Sequence, residues 1–95
     1  MGISKKETAI EVSEQPILSF VIVTFNSEAD IGGCLDSLHS TNQNGKFQTV
    51  VIDNASIDKT VGIVHEKKNK NFTFIPNKKN EGFTKAVNQG VEIAG

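Results

Sequence analysis

Hydrophobic positions along the chain switch between two rhythms, and the switches mark the elements. Residues 1–15 are polar, rich in Glu, Lys and Ser and without a sustained pattern, so they read as a flexible N-terminal tail. Pro16 opens a near-continuous apolar run, ILSFVIVTF (17–25), of the kind a strand shows when both its faces are covered. In the following NSEADIGGCLDSLHST, Ile31, Leu35 and Leu38 recur at helical spacing. Ser27 and Asp30 resemble a capping box with Asp in the usual Glu place. Gly32 and Gly33 each weaken that helix by about 1 kcal/mol. QTVVID (48–53) is a second strand. NASID leads from it into a helix over 59–68, with Ser56 or Asp58 as its cap and Val61 and Val64 inward. FTFI (72–75) is a third strand closed by Pro76. NKKNEG then joins it to a helix over 82–94, where Phe83, Ala86, Val87, Gly90, Val91 and Ala94 form one apolar face.

The order β-α-β-α-β-α predicts a parallel sheet with right-handed crossovers, a three-layer α/β/α, Rossmann-like half. The domain organisation expected is the tail, 1–15, and one partial domain over 16–95.

Composition narrows the class. Ninety-five residues, 37% hydrophobic and 22% charged, exclude a disordered or fibrous chain. The longest apolar run, Phe20–Val23, is far below the roughly 20 residues of a membrane span. The N-terminus lacks the apolar core of a secretory signal. A single cysteine, Cys34, fits a reducing compartment, so the expected location is cytoplasmic; a longer form could sit at the inner face of the membrane. A net charge of −1 offers no field for nucleic acid, and no nucleic-acid partner is expected. All ten basic residues are lysine, so any phosphate must be held by Lys, backbone N–H groups or a metal.

In parallel sheets ligands sit beyond the carboxyl ends of the strands, which directs attention to three loops. The first reads TFNSE, without a dinucleotide fingerprint, and no P-loop occurs. His39 and His65 lack metal-ligand spacing, and Cys34 reads as a buried structural thiol. What remains is polar pocket chemistry from Phe25, Asn26, Glu28, Asp53, Asn54, Asn80 and Lys85. Phe25 either stacks on a base or closes the core. Asp53 and Asn54 either pair with a base edge and ribose hydroxyls or cap the next helix. Free N–H groups near Gly82 suit a diphosphate, and Lys85 either approaches the same ligand or stays solvated.

FVIVTFN (20–26), CLDSL (34–38), VVIDNASID (50–58) and NEGFTKAVNQG (80–90), in that order, resemble the opening half of the family 2 glycosyltransferases, of GT-A fold. The DNAS version looks closest to the rhamnosyltransferase-like branch. The likeness spans about residues 17–95. It implies a truncated GT-A fold and a nucleotide-diphosphate-sugar site built from Thr24, Phe25, Asn26, Glu28, Asp53, Asn54, Asn80, Gly82 and Lys85, with Asn88 nearby. It also implies transfer of a hexosyl or rhamnosyl group to an acceptor hydroxyl with inversion, in polysaccharide or cell-surface glycan synthesis. The acceptor would be a glycan or lipid-linked molecule bound by a further half.

The family pattern also requires a D-x-D motif for a divalent cation, Mg or Mn, and a carboxylate base. These residues contain no D-x-D and no candidate base, so the chain alone is expected to be inactive, with the cation's ligands and the base elsewhere. Two other readings stand beside this one. One is an inactive nucleotide-binding or regulatory module of the same fold; the other is an unrelated α/β enzyme, disfavoured by the missing glycine-rich first turn. The family orders its first three strands 3-2-1 with a fourth beside the first. The run 17–25 is accordingly expected to be an open edge, prone to self-association.

Overall fold

The computed structural model describes residues 7–13, 18–41, 47–69 and 71–94. Four strands and three helices follow one another as β1 (Glu7–Ser13), β2 (Leu18–Phe25), α1 (Ile31–Thr41), β3 (Phe47–Asp53), α2 (Thr60–Lys67), β4 (Phe72–Pro76) and α3 (Phe83–Ala94). They form one sheet in the order β1-β2-β3-β4. β2, β3 and β4 are parallel, as the alternation requires, with Val21 opposite Val50 and Val51 opposite Phe74. The expected order of the three parallel strands and the α/β class are both present.

The apolar run of β2 is unbroken because helices cover both of its faces. Val21, Val23, Val50 and Ile52 point to one side and pack with Ala86 and Ala94 of α3, flanked by Ile75 and Val87. Ile22 and Val51 point to the other side and pack with Ile31, Leu35 and Val64 of α1 and α2, flanked by Cys34, Leu38, Ile63, Phe72 and Phe74. Consecutive residues in the middle of each strand, Val21–Val23 and Val50–Ile52, therefore serve opposite cores, and both parities are apolar there. His39 and His65 stand edge-on to Phe72 and Phe74, with centroids 5.8 and 5.2 Å apart. Burial, with the Asp30 charge added, pushes the half-buried Cys34 thiol up, away from thiolate character.

Three expectations need correction. Residues 7–13, read as part of a loose tail, form β1, and the sheet therefore begins before residue 16. β1 pairs antiparallel with β2 from Glu7 opposite Phe25 to Ser13 opposite Ser19. The physical reason is the row of N–H and C=O groups on β2, which needs partners, together with β-branched Thr8, Ile10 and Val12 at every second position. The edge of 17–25 is thus filled rather than open. Self-association through it loses its basis, and the sheet margins fall at β1 and β4.

The inward faces of two helices also differ from the reading. In α2 the buried positions are Thr60 and Val64, and Ile63 rather than Val61 joins the core cluster. In α3 the buried positions are Ala86, Gly90 and Ala94, while Phe83 and Val91 remain about two-fifths exposed. Small residues face the sheet there because the helix lies too close for large ones.

Candidate functional site at the carboxyl ends of the parallel strands

Buried polar side chains gather at one end of the sheet. Thr24, Ser27, Asp53, Asn54 and Thr60 are each wholly inaccessible, and all lie at or just beyond the carboxyl ends of β2 and β3. Burying such groups is costly unless they are paired, so their partners define the architecture.

Asp53 is the anchor. Its Oδ1 accepts hydrogen bonds from the hydroxyls of Thr24 (2.7 Å) and Ser56 (2.6 Å), and its Oδ2 accepts from the Ser56 N–H (2.9 Å). The turn this closes passes through Ala55 at φ 65°, a left-handed conformation that an alanine adopts at a cost of about 1 kcal/mol. The hydrogen bonds to Asp53 hold it there.

The first and second loops are clasped together. The Asn26 N–H donates to Ser56 Oγ (2.9 Å), and Asn26 Oδ1 accepts from the Ile57 N–H (2.9 Å). The Ser27 N–H donates to Thr60 Oγ1 (2.8 Å). The Glu28 N–H donates to Asp58 Oδ2 (3.1 Å), and Glu28 Oε1 accepts in return from the Lys59 N–H (3.0 Å). Asp58 Oδ1 accepts both the N–H and the hydroxyl of Thr60 at the start of α2, one position ahead of the residue that bounds the helix. At the other helix, the Ser27 carbonyl receives the N–H groups of Asp30 and Ile31 and so opens α1.

Burial works to raise the Asp58 carboxyl. The hydrogen bonds from the Thr60 hydroxyl and from the N–H groups of Thr60 and Glu28 together outweigh it and hold the group below the usual carboxylate range. A depressed folded-state value means that its stabilising contribution is complete above the unfolded value, about 3.9. That contribution is lost as pH falls through the folded value. Asp58→Ala is therefore expected to destabilise the protein by about 1 kcal/mol at pH 7, the usual cost of a lost cap. Urea titrations of both proteins check this, and the gap between them should close as pH falls below about 4.

The third loop carries Asn80 and Gly82, and Lys85 stands in the first turn of α3. Asn80 Oδ1 accepts the Gly82 N–H (2.8 Å), which turns the chain at Gly82 (φ 86°) into α3. Asn54 reaches this loop through Gly82 O and the Glu81 N–H. Lys85 is largely exposed, with Nζ 3.5 Å from Glu81 Oε1. Phe25 is half-buried at the tip of β2.

All nine nominated residues thus stand at one end of the sheet, and all but Lys85 take part in the hydrogen bonds that shape its loops, Phe25 through its N–H and carbonyl, each 3.3 Å from Ser27 Oγ. A cavity of about 660 Å³ opens beside the third loop and along α3, lined by Asn77, Glu81, Lys85, Asn88 and Gln89 among others. It takes in Lys85 and Asn88 but not Phe25 or Asp53. Sequence reasoning passed over Thr60, Asn77 and Gln89. Thr60 was legible as the hydroxyl two residues beyond Asp58; nothing local marks the Asn77–Gln89 pair. Among the described residues no three His, Cys, Asp or Glu side chains converge as a metal site.

Residues 19–95 match the sequence profile of a family described as Glycosyl transferase family 2. No curated protein and no solved structure matches the chain.

Proposed function

The chain belongs to glycosyl transferase family 2, whose members take a sugar from a nucleotide-sugar donor to an acceptor, and from that premise we propose that the carboxyl ends of β2, β3 and β4 bind the nucleoside diphosphate of the donor. The observation that carries this reading is the clasp of three loops around buried Asp53 and Asn54. It builds a rigid polar rim where parallel sheets receive ligands. Phe25 would lie against the base, and Asn80, Gly82 and Lys85 would face the diphosphate. The transferred group would be a hexosyl or rhamnosyl unit, passed with inversion to a glycan or lipid-linked hydroxyl during polysaccharide or cell-surface glycan synthesis.

A divalent cation would neutralise the leaving diphosphate in such a reaction. The described residues do not fit its site. Asp53 is enclosed and already holds three donors, Asp58 and Glu28 are engaged with backbone N–H groups, and no further carboxylates converge. Donor binding by this chain should therefore be indifferent to the cation, with the cation's ligands and the base supplied elsewhere. The engaged carboxylates equally favour the second reading, an inactive nucleotide-binding module.

Calorimetric titration with UDP, dTDP and GDP, with and without Mn²⁺, tests the proposal. We expect a dissociation constant on the order of 0.1–1 mM for one of the three. It should be unchanged by Mn²⁺. Absence of binding by a folded chain would overturn the reading, and tighter binding with Mn²⁺ would place a cation ligand among these residues.

A further inference from the structure

The carboxamide of Asn54 is completely buried, and its surroundings fix which end is oxygen. Its Nδ2 donates to Gly82 O (3.2 Å), while its Oδ1 accepts the Glu81 N–H (3.3 Å). A backbone carbonyl can only accept and a backbone N–H can only donate, so the reversed orientation would set donor against donor and acceptor against acceptor. Oδ1 also accepts Asn77 Nδ2 (3.1 Å), which fills its second lone pair. Asn77 continues the chain. Its other amide proton goes to Gln89 Oε1, and its Oδ1 accepts Gln89 Nε2, both at 3.0 Å. The Asn77 N–H is held by Asp53 O (2.8 Å). Three carboxamides therefore join the ends of β3 and β4 to the loop 80–82 and the middle of α3.

We infer that Asn54 is a positioning residue, an amide latch that sets the 77–82 loop and the start of α3 against β3 and has no acceptor left for a base edge. This rests on the proposed nucleotide site and assigns Asn54 a role behind it rather than in it. An aspartate could not substitute. Its carboxylate would keep the Glu81 and Asn77 donors but would face Gly82 O with no proton to offer.

That mismatch supplies the test. In N54D at pH 8 the loop should loosen, and amide exchange protection at Glu81 and at Ala86, whose N–H is bonded to Gly82 O, should fall about tenfold. Affinity for the nucleoside diphosphate that binds the unsubstituted chain should fall on the order of tenfold. At pH 5.5 the new carboxyl, buried against a carbonyl, takes up a proton and can donate it to Gly82 O. Protection and affinity should then recover in the variant, while the unsubstituted protein changes little. A residue that read a base N–H directly predicts the opposite sign. Binding as tight or tighter in N54D at pH 8 overturns the latch, and so does a loss that persists at pH 5.5. Unchanged protection at Glu81 and Ala86 in N54D overturns it without reference to any ligand. Should the unsubstituted chain bind no nucleotide, the functional proposal fails and the exchange measurement still decides the latch.

Discussion

Replacing Asp53 with alanine is expected to cost about 3 kcal/mol of stability and to abolish nucleotide binding. The substitution removes the acceptor for two hydroxyls and one N–H at the carboxyl ends of β2 and β3, where Thr24 is wholly buried and Ser56 half-buried. A hydrogen bond to an ionised group is worth roughly 1.5–3 kcal/mol, and the orphaned donors add a desolvation penalty, though the three losses overlap. For a domain of this size the melting temperature should fall by about 15 °C. The loss should be largest at the loops. Without Asp53 the turn at left-handed Ala55 loses its anchor and the clasp to Asn26 through Ser56 weakens, leaving the Ile57 N–H on Asn26 Oδ1 as the remaining tie. Asp53→Asn should cost less, because the amide oxygen can still receive the Ser56 N–H while the two hydroxyls turn to accept from the amide nitrogen. Denaturant unfolding of both variants, followed by titration at a temperature where each is folded, measures the two effects separately. An alanine variant as stable as the parent would show that the turn stands without its anchor.

The same residue shows how far the sequence could be read. The alternation of elements and the parallel sheet were legible because burial on both faces leaves a signal in every strand residue, from Phe20 to Val23 and from Val50 to Ile52. The positions of Asp53 and Asn54 were legible as well, since a strand that ends in two polar residues before a turn places them at the carboxyl end of the sheet. Their connections were not. A sequence shows Thr24 and Asp53 twenty-nine positions apart, and only the parallel register opposes them directly. The reach of Asn54 to Asn77 and Gly82 likewise depends on where β4 ends beside β3. β1 was missed for another reason. Ile10 is two-fifths exposed, the sequence ETAIEVS carries no strong hydrophobic pattern, and the pairing is dictated by the needs of β2. The misjudged face of α3 follows from distance, which periodicity does not encode.

That distance makes Gly90 the second site of large effect. A Cβ at this position would overlap Val21 Cγ1 and lie 3.3 Å from Ile52 Cγ1, where the backbone of α3 rests on β2 and β3. Both valines and isoleucines hold stiff rotamers, and Val21 and Ile52 are wholly buried, so neither can swing aside. Gly90→Ala gains about 1 kcal/mol of helix propensity and should still be destabilising by about 2 kcal/mol, because the helix must lift from the sheet. Gly90→Val should cost about 4 kcal/mol. Gly33, with nothing within 4 Å of its would-be Cβ, is the control: Gly33→Ala should stabilise by a few tenths of a kcal/mol up to about 1. The decisive comparison pairs Gly90→Ala with Val21→Ala. The valine truncation alone leaves a void and costs about 2 kcal/mol. If the overlap is with Val21, the added methyl group occupies that void, and the double variant should be more stable than the sum of the single losses predicts by 1 kcal/mol or more. Strict additivity in urea unfolding would mean that α3 does not lie this close to β2, and that the small residues Ala86, Gly90 and Ala94 face the sheet for some reason other than proximity.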